Sequence, residues 1–435
     1  MFINLNLDHK RMSSIFGDIL LSNLFHLSIF APLLCFFLGN VAIGQENQKA
    51  RAIQFSEHLI ADNYAYAYGI AAADFDQDGD LDLSSADYTP HNKLYLFEND
   101  GRGNFQKHLI QKDDPARLER HMVGDVDRDG DLDIVIVKNL HGHLLWFENC
   151  GSPTNGKLWK RHVITTNLPG AYDVALADFN DDGHLDVAAS SWVLGNQFAW
   201  FENSGKPSEG EWKKHEIDLN LRETRTVRVT DFDGDGDADL LGTARGSNEI
   251  LWYENNKKGE QIAWIKHIID NQSKSPAHGN PVDMDGDGDL DIVMALGFYF
   301  KPGSEDKTAT QRRIDNQIAW YENDKPRNGP WVKHIVHEKY DDAFEAIAAD
   351  LDNDGDIDIV ATSWRNPGGI AWFENEGNPR SQWGKHTLKE NWRSANQVII
   401  ADMNGDGMPD IIACAERGSV EVRWWKNLGR PQAKK

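Results

Sequence analysis

The residues in this chain best suited to chemistry are carboxylates, and they come in a fixed pattern. Asp74, Asp76, Asp78 and Asp82 hold positions 1, 3, 5 and 9 of a nine-residue run, with Gly79 at position 6 and Asp80 at position 7. Side-chain oxygens at 1, 3, 5 and 9 and a backbone carbonyl at 7 bring hard oxygen ligands around one point, the coordination that Ca2+ prefers. Gly at position 6 admits the sharp turn. The run recurs as Asp125, Asp127, Asp129, Asp131 and Asp133, then as Asp178, Asn180, Asp182, His184 and Asp186. It returns as Asp231, Asp233, Asp235, Asp237 and Asp239, and as Asp283, Asp285, Asp287, Asp289 and Asp291. The last two copies are Asp350, Asp352, Asp354, Asp356 and Asp358, and Asp402, Asn404, Asp406, Met408 and Asp410. Asn180 and Asn404 keep an oxygen but lose a charge, so those two sites are expected to hold a cation more weakly. Only the backbone oxygen matters at position 7, so His184 and Met408 do not count against a metal. Carboxylates this close repel strongly at neutral pH unless neutralised. Up to seven structural Ca2+ ions are therefore expected, against the alternative of seven solvated acidic turns.

The formal net charge is −24, from 69 acidic and 45 basic residues, and 26 of the acids are loop ligands. This balance argues against nucleic acid or an anionic membrane as partner, because binding phosphate needs clustered Lys and Arg.

Elements must position these loops, and the spacing identifies them. The seven runs start 51, 53, 53, 52, 67 and 52 residues apart, the mark of a repeat array. Past each loop comes an aromatic strand ending in Asn, such as Trp146-Phe147-Glu148-Asn149, then a strand with a recurring His, such as His162 or His334. Each unit thus offers four short strands separated by Gly, Asn and Asp, which is a propeller blade. The expected fold is all-β: a seven-bladed β-propeller. Its ring closes if residues 55–60, a His strand left over at the N-terminus, complete the last blade and cover its open edge.

In this strand context the loops resemble the FG-GAP, or VCBS, repeat found in the propellers of integrin α subunits and many bacterial secreted proteins. The resemblance covers residues 53–428 and implies Ca2+ loops on the face opposite the ligand-binding face. The chain also resembles the propeller part of fungal aldos-2-ulose dehydratase, a sugar lyase, but no catalytic residue transfers from it.

Residues 1–44 read as a signal peptide: Lys10 and Arg11 precede an apolar stretch, and cleavage is expected after Gly44. A short membrane anchor is the alternative reading of that segment. Residues 45–435 form the propeller, which is expected to be secreted, periplasmic or at the cell surface, monomeric, and without membrane insertion. Cys150 and Cys414 sit at non-equivalent places in different repeats and are expected to be thiols, not a disulfide.

Residues that recur serve the blade, and those that differ in every copy are free to serve a ligand. The Trp, His and Glu-Asn signatures are therefore read as structural. Five residues before each loop the sequence varies: Gly69, Arg120, Asp173, Thr226, His278, Glu345 and Gln397. Strand alternation sends these toward the central channel. Tyr68, Tyr172, Arg225, Arg228, Asn280 and Phe344 come from the same strands, and Tyr88, Asn139, Trp192, Arg245 and Trp364 from the ends of the second strands. Aromatic rings among polar groups suit a carbohydrate site, and a water-filled channel is the alternative. An insertion at residues 301–315 in the fifth repeat is expected beside that mouth. The first functional expectation is an extracellular binding or adhesion module for glycan or protein. The second is a carbohydrate lyase or dehydratase, with Glu345, Asp173 or His278 as acid or base and Arg120 or Arg228 on a carboxylate. A pure scaffold is a third.

Overall fold

A computed structural model describes residues 52–87, 90–112, 118–259, 261–298, 315–324, 330–364 and 367–431. The expected signal peptide, Tyr88 and nearly all of the 301–315 insertion lie outside the described residues. Among the described residues, twenty-eight strands form seven four-stranded antiparallel sheets, with no helix. The innermost strands are Ala67–Ala73, Leu118–Gly124, Ala171–Ala177, Thr224–Thr230, Pro276–Val282, Ala343–Ala349 and Ala395–Ala401. Each touches the innermost strands of both neighbouring blades, and that of the seventh blade touches that of the first. The ring is closed.

Closure uses the leftover strand. Phe55–Ala61 pairs with Glu421–Asn427, placing His58 opposite Trp424 and Phe55 opposite Asn427. The seventh blade is thus built from both ends of the propeller, and its edge is covered.

The recurring aromatic pair cements neighbours because successive residues of a strand point to opposite faces. Trp146 of the second blade packs in one cluster with Val174, Val187 and Phe201 of the third. Phe147, next in the chain, packs with Phe75 and Leu96 of the first. Full burial of a side chain such as Phe147 stabilises by about 1.5–3 kcal/mol. The recurring His lies on the strand beyond. His162 stacks on Trp146 with centroids 4.2 Å apart, and its Nε2 sits 2.5 Å from Glu148 Oε2. The arrangement repeats with His215, Trp200 and Glu202 and with His386, Trp372 and Glu374. The aromatic pair thus joins neighbouring blades, while the His tethers the outer strand to the third strand of its own blade. Cys150 and Cys414 are free thiols, exposed and buried respectively.

Candidate functional site

The seven acidic loops join each innermost strand to the second strand of its blade, so all lie on one face. Their geometry is built from the position-1 carboxylate, which collects backbone N–H groups. Asp78 N and Gly79 N donate to the two Asp74 oxygens, both at 3.1 Å. The position-9 carboxylate is buried and ties the loop down: Asp133 accepts from Val126 N at 3.0 Å and Asn149 N at 2.8 Å. The Asn that ends the aromatic strand then reaches to the loop of the preceding blade, Asn149 Nδ2 donating to Phe75 O at 3.0 Å and Asn427 Nδ2 to Leu351 O at 2.6 Å. Burial pushes the position-9 carboxyls up, Asp133 and Asp358 to about 8 and Asp82, Asp186, Asp239 and Asp291 to about 7. Position 6 is Gly throughout, with φ near +95° at Gly79 and Gly130. Position 4 is also left-handed, though its residue varies (Gln77, Arg128, Asp181, Asn353).

On the opposite face the channel opens into a cavity of about 420 Å3. Its wall is largely aromatic: Tyr66, Tyr68, Tyr172, Trp192, Phe298, Phe344 and Trp364, with Glu119, Asn139, Arg225, Glu416 and Arg417 among them. The innermost strands explain how these residues arrive there. Every one of the seven slips register against its neighbour near its start, four to seven residues before the loop, for example between Leu118 and His121 and between Ala171 and Val174. A bulge re-aims side chains. Consequently it is the residue six before the loop that lines the cavity, as Tyr68, Glu119, Tyr172, Arg225 and Phe344 do.

The residue five before the loop goes to a different place. Arg120, Asp173, His278 and Glu345 are buried beneath the cavity, where they close the channel as a hydrogen-bonded plug. Arg120 donates through both Nη atoms to Glu345, at 3.1 and 2.9 Å. Arg228 donates to Asp173 at 2.7 Å, to Asn280 at 3.0 Å and to Glu345 at 3.4 Å. Gln397 is occupied in accepting from Ile70 N at 3.0 Å. Burial, and then the charges of Arg120, Arg225 and Arg228, hold His278 well below the usual imidazole range, so it is neutral. Gly69, the glycine at this position, has φ +78°, and a Cβ there would lie 2.4 Å from Glu119 O. Of the residues expected from sequence around the channel, Tyr68, Asn139, Tyr172, Trp192, Arg225, Phe344 and Trp364 line the cavity; Arg120, Asp173, His278, Glu345, Gln397 and Arg228 do not.

The FG-GAP-like repeat family matches this chain at residues 74–136, 125–189, 231–294 and 350–413, together more than half its length. The chain belongs to the FG-GAP-like repeat family. A further relative is cartilage acidic protein 1 of Xenopus tropicalis, 23% identical over 171 residues, which are 38% of this chain and 26% of that protein. The matched stretch thus spans about a quarter of that relative's length. Two solved structures share the propeller fold: BBS1N in complex with ARL6DN, soaked with mercury (TM-score 0.52, 9% identity) or with lead (TM-score 0.53, 8% identity). Each covers 88% of this FG-GAP-like chain, which matches 97% and 98% of theirs, and the likeness is one of fold.

The FG-GAP-like loops fit a hard cation. In five of them three carboxylates lie with ligand oxygens within 4.8 Å of one another, for example Asp125, Asp127 and Asp133. At position 3 of the last two loops, Asp352 Oδ1 and Asn404 Oδ1 are buried without a hydrogen-bond donor. An oxygen left so is costly unless something else binds it, and an all-oxygen set suits Ca2+.

Sequence reasoning missed Tyr66, Glu119, Phe298, Glu416 and Arg417 in the cavity wall. A signal existed for Glu416. It stands fourteen residues after the start of its loop, in the register of Asn139, Trp192 and Trp364, but in a blade whose second-strand end was not counted. Phe298 follows one residue beyond that register, at the end of the fifth blade's second strand.

Proposed function

We propose that this FG-GAP-like propeller is a secreted, Ca2+-stabilised binding module that holds a glycan in the channel-mouth cavity. The observation that carries the reading is the cavity itself, concave, walled by aromatic rings, and within the size of small-molecule sites, about 300–1,000 Å3. Flat rings such as Trp192 and Trp364 suit the apolar faces of sugars. The polar groups beneath are spent on one another, which favours holding a ligand over transforming it. Up to seven Ca2+ ions would be ligated by the loop oxygens on the far face. Their charge would offset the mutual repulsion of the carboxylates and draw the protons from the position-9 groups. Resemblance to secreted repeats and to cartilage acidic protein 1 supports an extracellular place, with the N-terminal signal peptide directing export.

The test is a glycan and polysaccharide screen in Ca2+, with Trp192→Ala and Trp364→Ala beside the parent protein. Binding that both variants lose is expected. A screen with no binder, or binding indifferent to both changes, would sink the reading.

A second reading, a carbohydrate lyase or dehydratase, draws on Glu416. Burial pushes its carboxyl up to about 7 at the cavity wall, a value suited to an acid or base near neutral pH. New absorbance from unsaturated sugar on mixing with polyuronate, lost in Glu416→Gln, is what that reading requires.

A further inference from the structure

The plug is balanced in charge. Arg120 and Arg228 are matched by Glu345 and Asp173, and His278 is neutral. Arg225 stands above it, on the innermost strand of the fourth blade, 2% exposed and part of the cavity wall. Its guanidinium carbon lies 4.6 Å from the Phe298 ring centre, 4.9 Å from that of Tyr172 and 5.3 Å from that of Trp192. Among the described residues its side chain makes one hydrogen bond, from Nη1 to the Tyr172 hydroxyl at 2.7 Å, and its Nε is buried with no acceptor.

Tyr172 does not supply the missing negative charge. Burial raises its pKa, so it keeps its proton. The surrounding bonds give that proton a place. Thr226 Oγ1 donates to Ala277 O at 3.0 Å, so the 2.9 Å contact with His278 Nδ1 is filled by an Nδ1–H. His278 Nε2 is then an acceptor and takes the Tyr172 proton at 3.2 Å. The Tyr172 oxygen accepts from Arg225 and from the Tyr68 hydroxyl, at 3.1 Å. Arg225 is therefore a buried cation held by a neutral oxygen and three rings, with no carboxylate in ion-pair contact among the described residues. A buried charge without its counter-ion is destabilising, and a guanidinium is shaped to receive a carboxylate. Glu416 also reaches the cavity, but it already accepts from Trp364 Nε1 and from Asn396 Nδ2, at 3.4 Å for the latter.

We infer that the sugar held in this cavity is acidic, a uronate-type residue whose carboxylate sits on Arg225 while its ring lies against the neighbouring indoles. The inference rests on the glycan reading above and adds the ligand's charge and the residue that selects it. A carboxylate on a protein partner would offer the same charge, but a concave aromatic cavity fits a sugar ring better than a folded surface. Arg417, which donates to the Tyr66 hydroxyl at 3.0 Å, also stands in the wall, where the Glu416 carboxyl faces its charge, and Glu119 adds a second acidic group there, so the place left for an added carboxylate is on Arg225.

The experiment is titration calorimetry on the whole protein in saturating Ca2+. The probes are oligogalacturonate and oligomannuronate, each beside its carboxyl-reduced neutral counterpart, and a Glu-rich peptide. The acidic sugars should bind more tightly than the neutral ones by about tenfold or more, and Arg225→Gln should abolish that preference. Should the variant not fold, the acidic-against-neutral comparison in the parent protein still decides. Equal affinity for charged and neutral sugars overturns the inference and leaves the glycan reading standing. So does an acid preference that survives Arg225→Gln, since that would be capture through Ca2+ at the untouched loops. If no sugar binds, with or without capture of the peptide, the glycan reading fails and this inference with it.

Discussion

Arg120 of the second blade and Glu345 of the sixth meet across the channel through two parallel hydrogen bonds, each residue 1% exposed. Burial alone would lower the Arg120 pKa, but the Glu345 and Asp173 carboxylates outweigh it and raise it well above the ordinary value. A bidentate pair so placed ties together blades that are not neighbours and shuts the channel.

Removing one partner leaves a buried charge, which costs about 3–5 kcal/mol. Glu345→Gln and Arg120→Met should each lower stability by that order in denaturant unfolding. The double variant Arg120→Met, Glu345→Met should lose less than the sum. Additive losses would show that the pair is not coupled.

Chelation should lower the unfolding temperature by many degrees, and restored Ca2+ should bring it back. Calorimetric titration of the metal-free protein should resolve weaker sites, lost selectively in Asn180→Ala and Asn404→Ala. A metal-free protein of unchanged stability would count against Ca2+ in the loops.

Ring closure depends on the strand Phe55–Ala61, whose His58 ring lies tilted against Trp424 with centroids 4.8 Å apart. Deleting residues up to 61 uncovers the edge of Glu421–Asn427 and should give a protein that associates in size-exclusion chromatography. Trp424→Ala, 2% exposed in the parent, should cost about 3–5 kcal/mol. A monomeric, equally stable deletion variant would contradict this closure.

Burial raises the Glu416 carboxyl from 4.5 to about 7. Between those values the folded chain holds a proton that the unfolded chain has released, so this group's contribution is full below pH 4.5 and is lost as pH rises through 7. In saturating Ca2+, stability measured from pH 4.5 to 8 should fall more steeply for the parent than for Glu416→Gln. Parallel profiles would mean that Glu416 keeps an ordinary pKa.

Fold and loops were legible because they repeat. Seven acidic runs at a near-constant step, the Trp–His and Glu-Asn signatures, and an unpaired first strand are local patterns, and blades built alike carry the same residues in the same register. That Asn149 or Asn427 is structural followed from recurrence, though not the neighbour's carbonyl that each one holds.

The cavity was legible only in part. Variation correctly marked the innermost strands, and Tyr172, Trp192 and Trp364 were found that way. Alternation then assigned the channel mouth to Arg120, Asp173, His278 and Glu345, one residue too far along, because a bulge interrupts every innermost strand and a side-chain period of two does not survive an inserted residue. Tertiary structure alone decided that Arg120 belongs with Glu345, 225 positions away, and that Arg225 does not share their partners. The acidic loops are each made within nine consecutive residues, so the chain's own order dictates them. The plug and the cavity draw on strands from across the ring, and which charge meets which is settled only when the ring has closed.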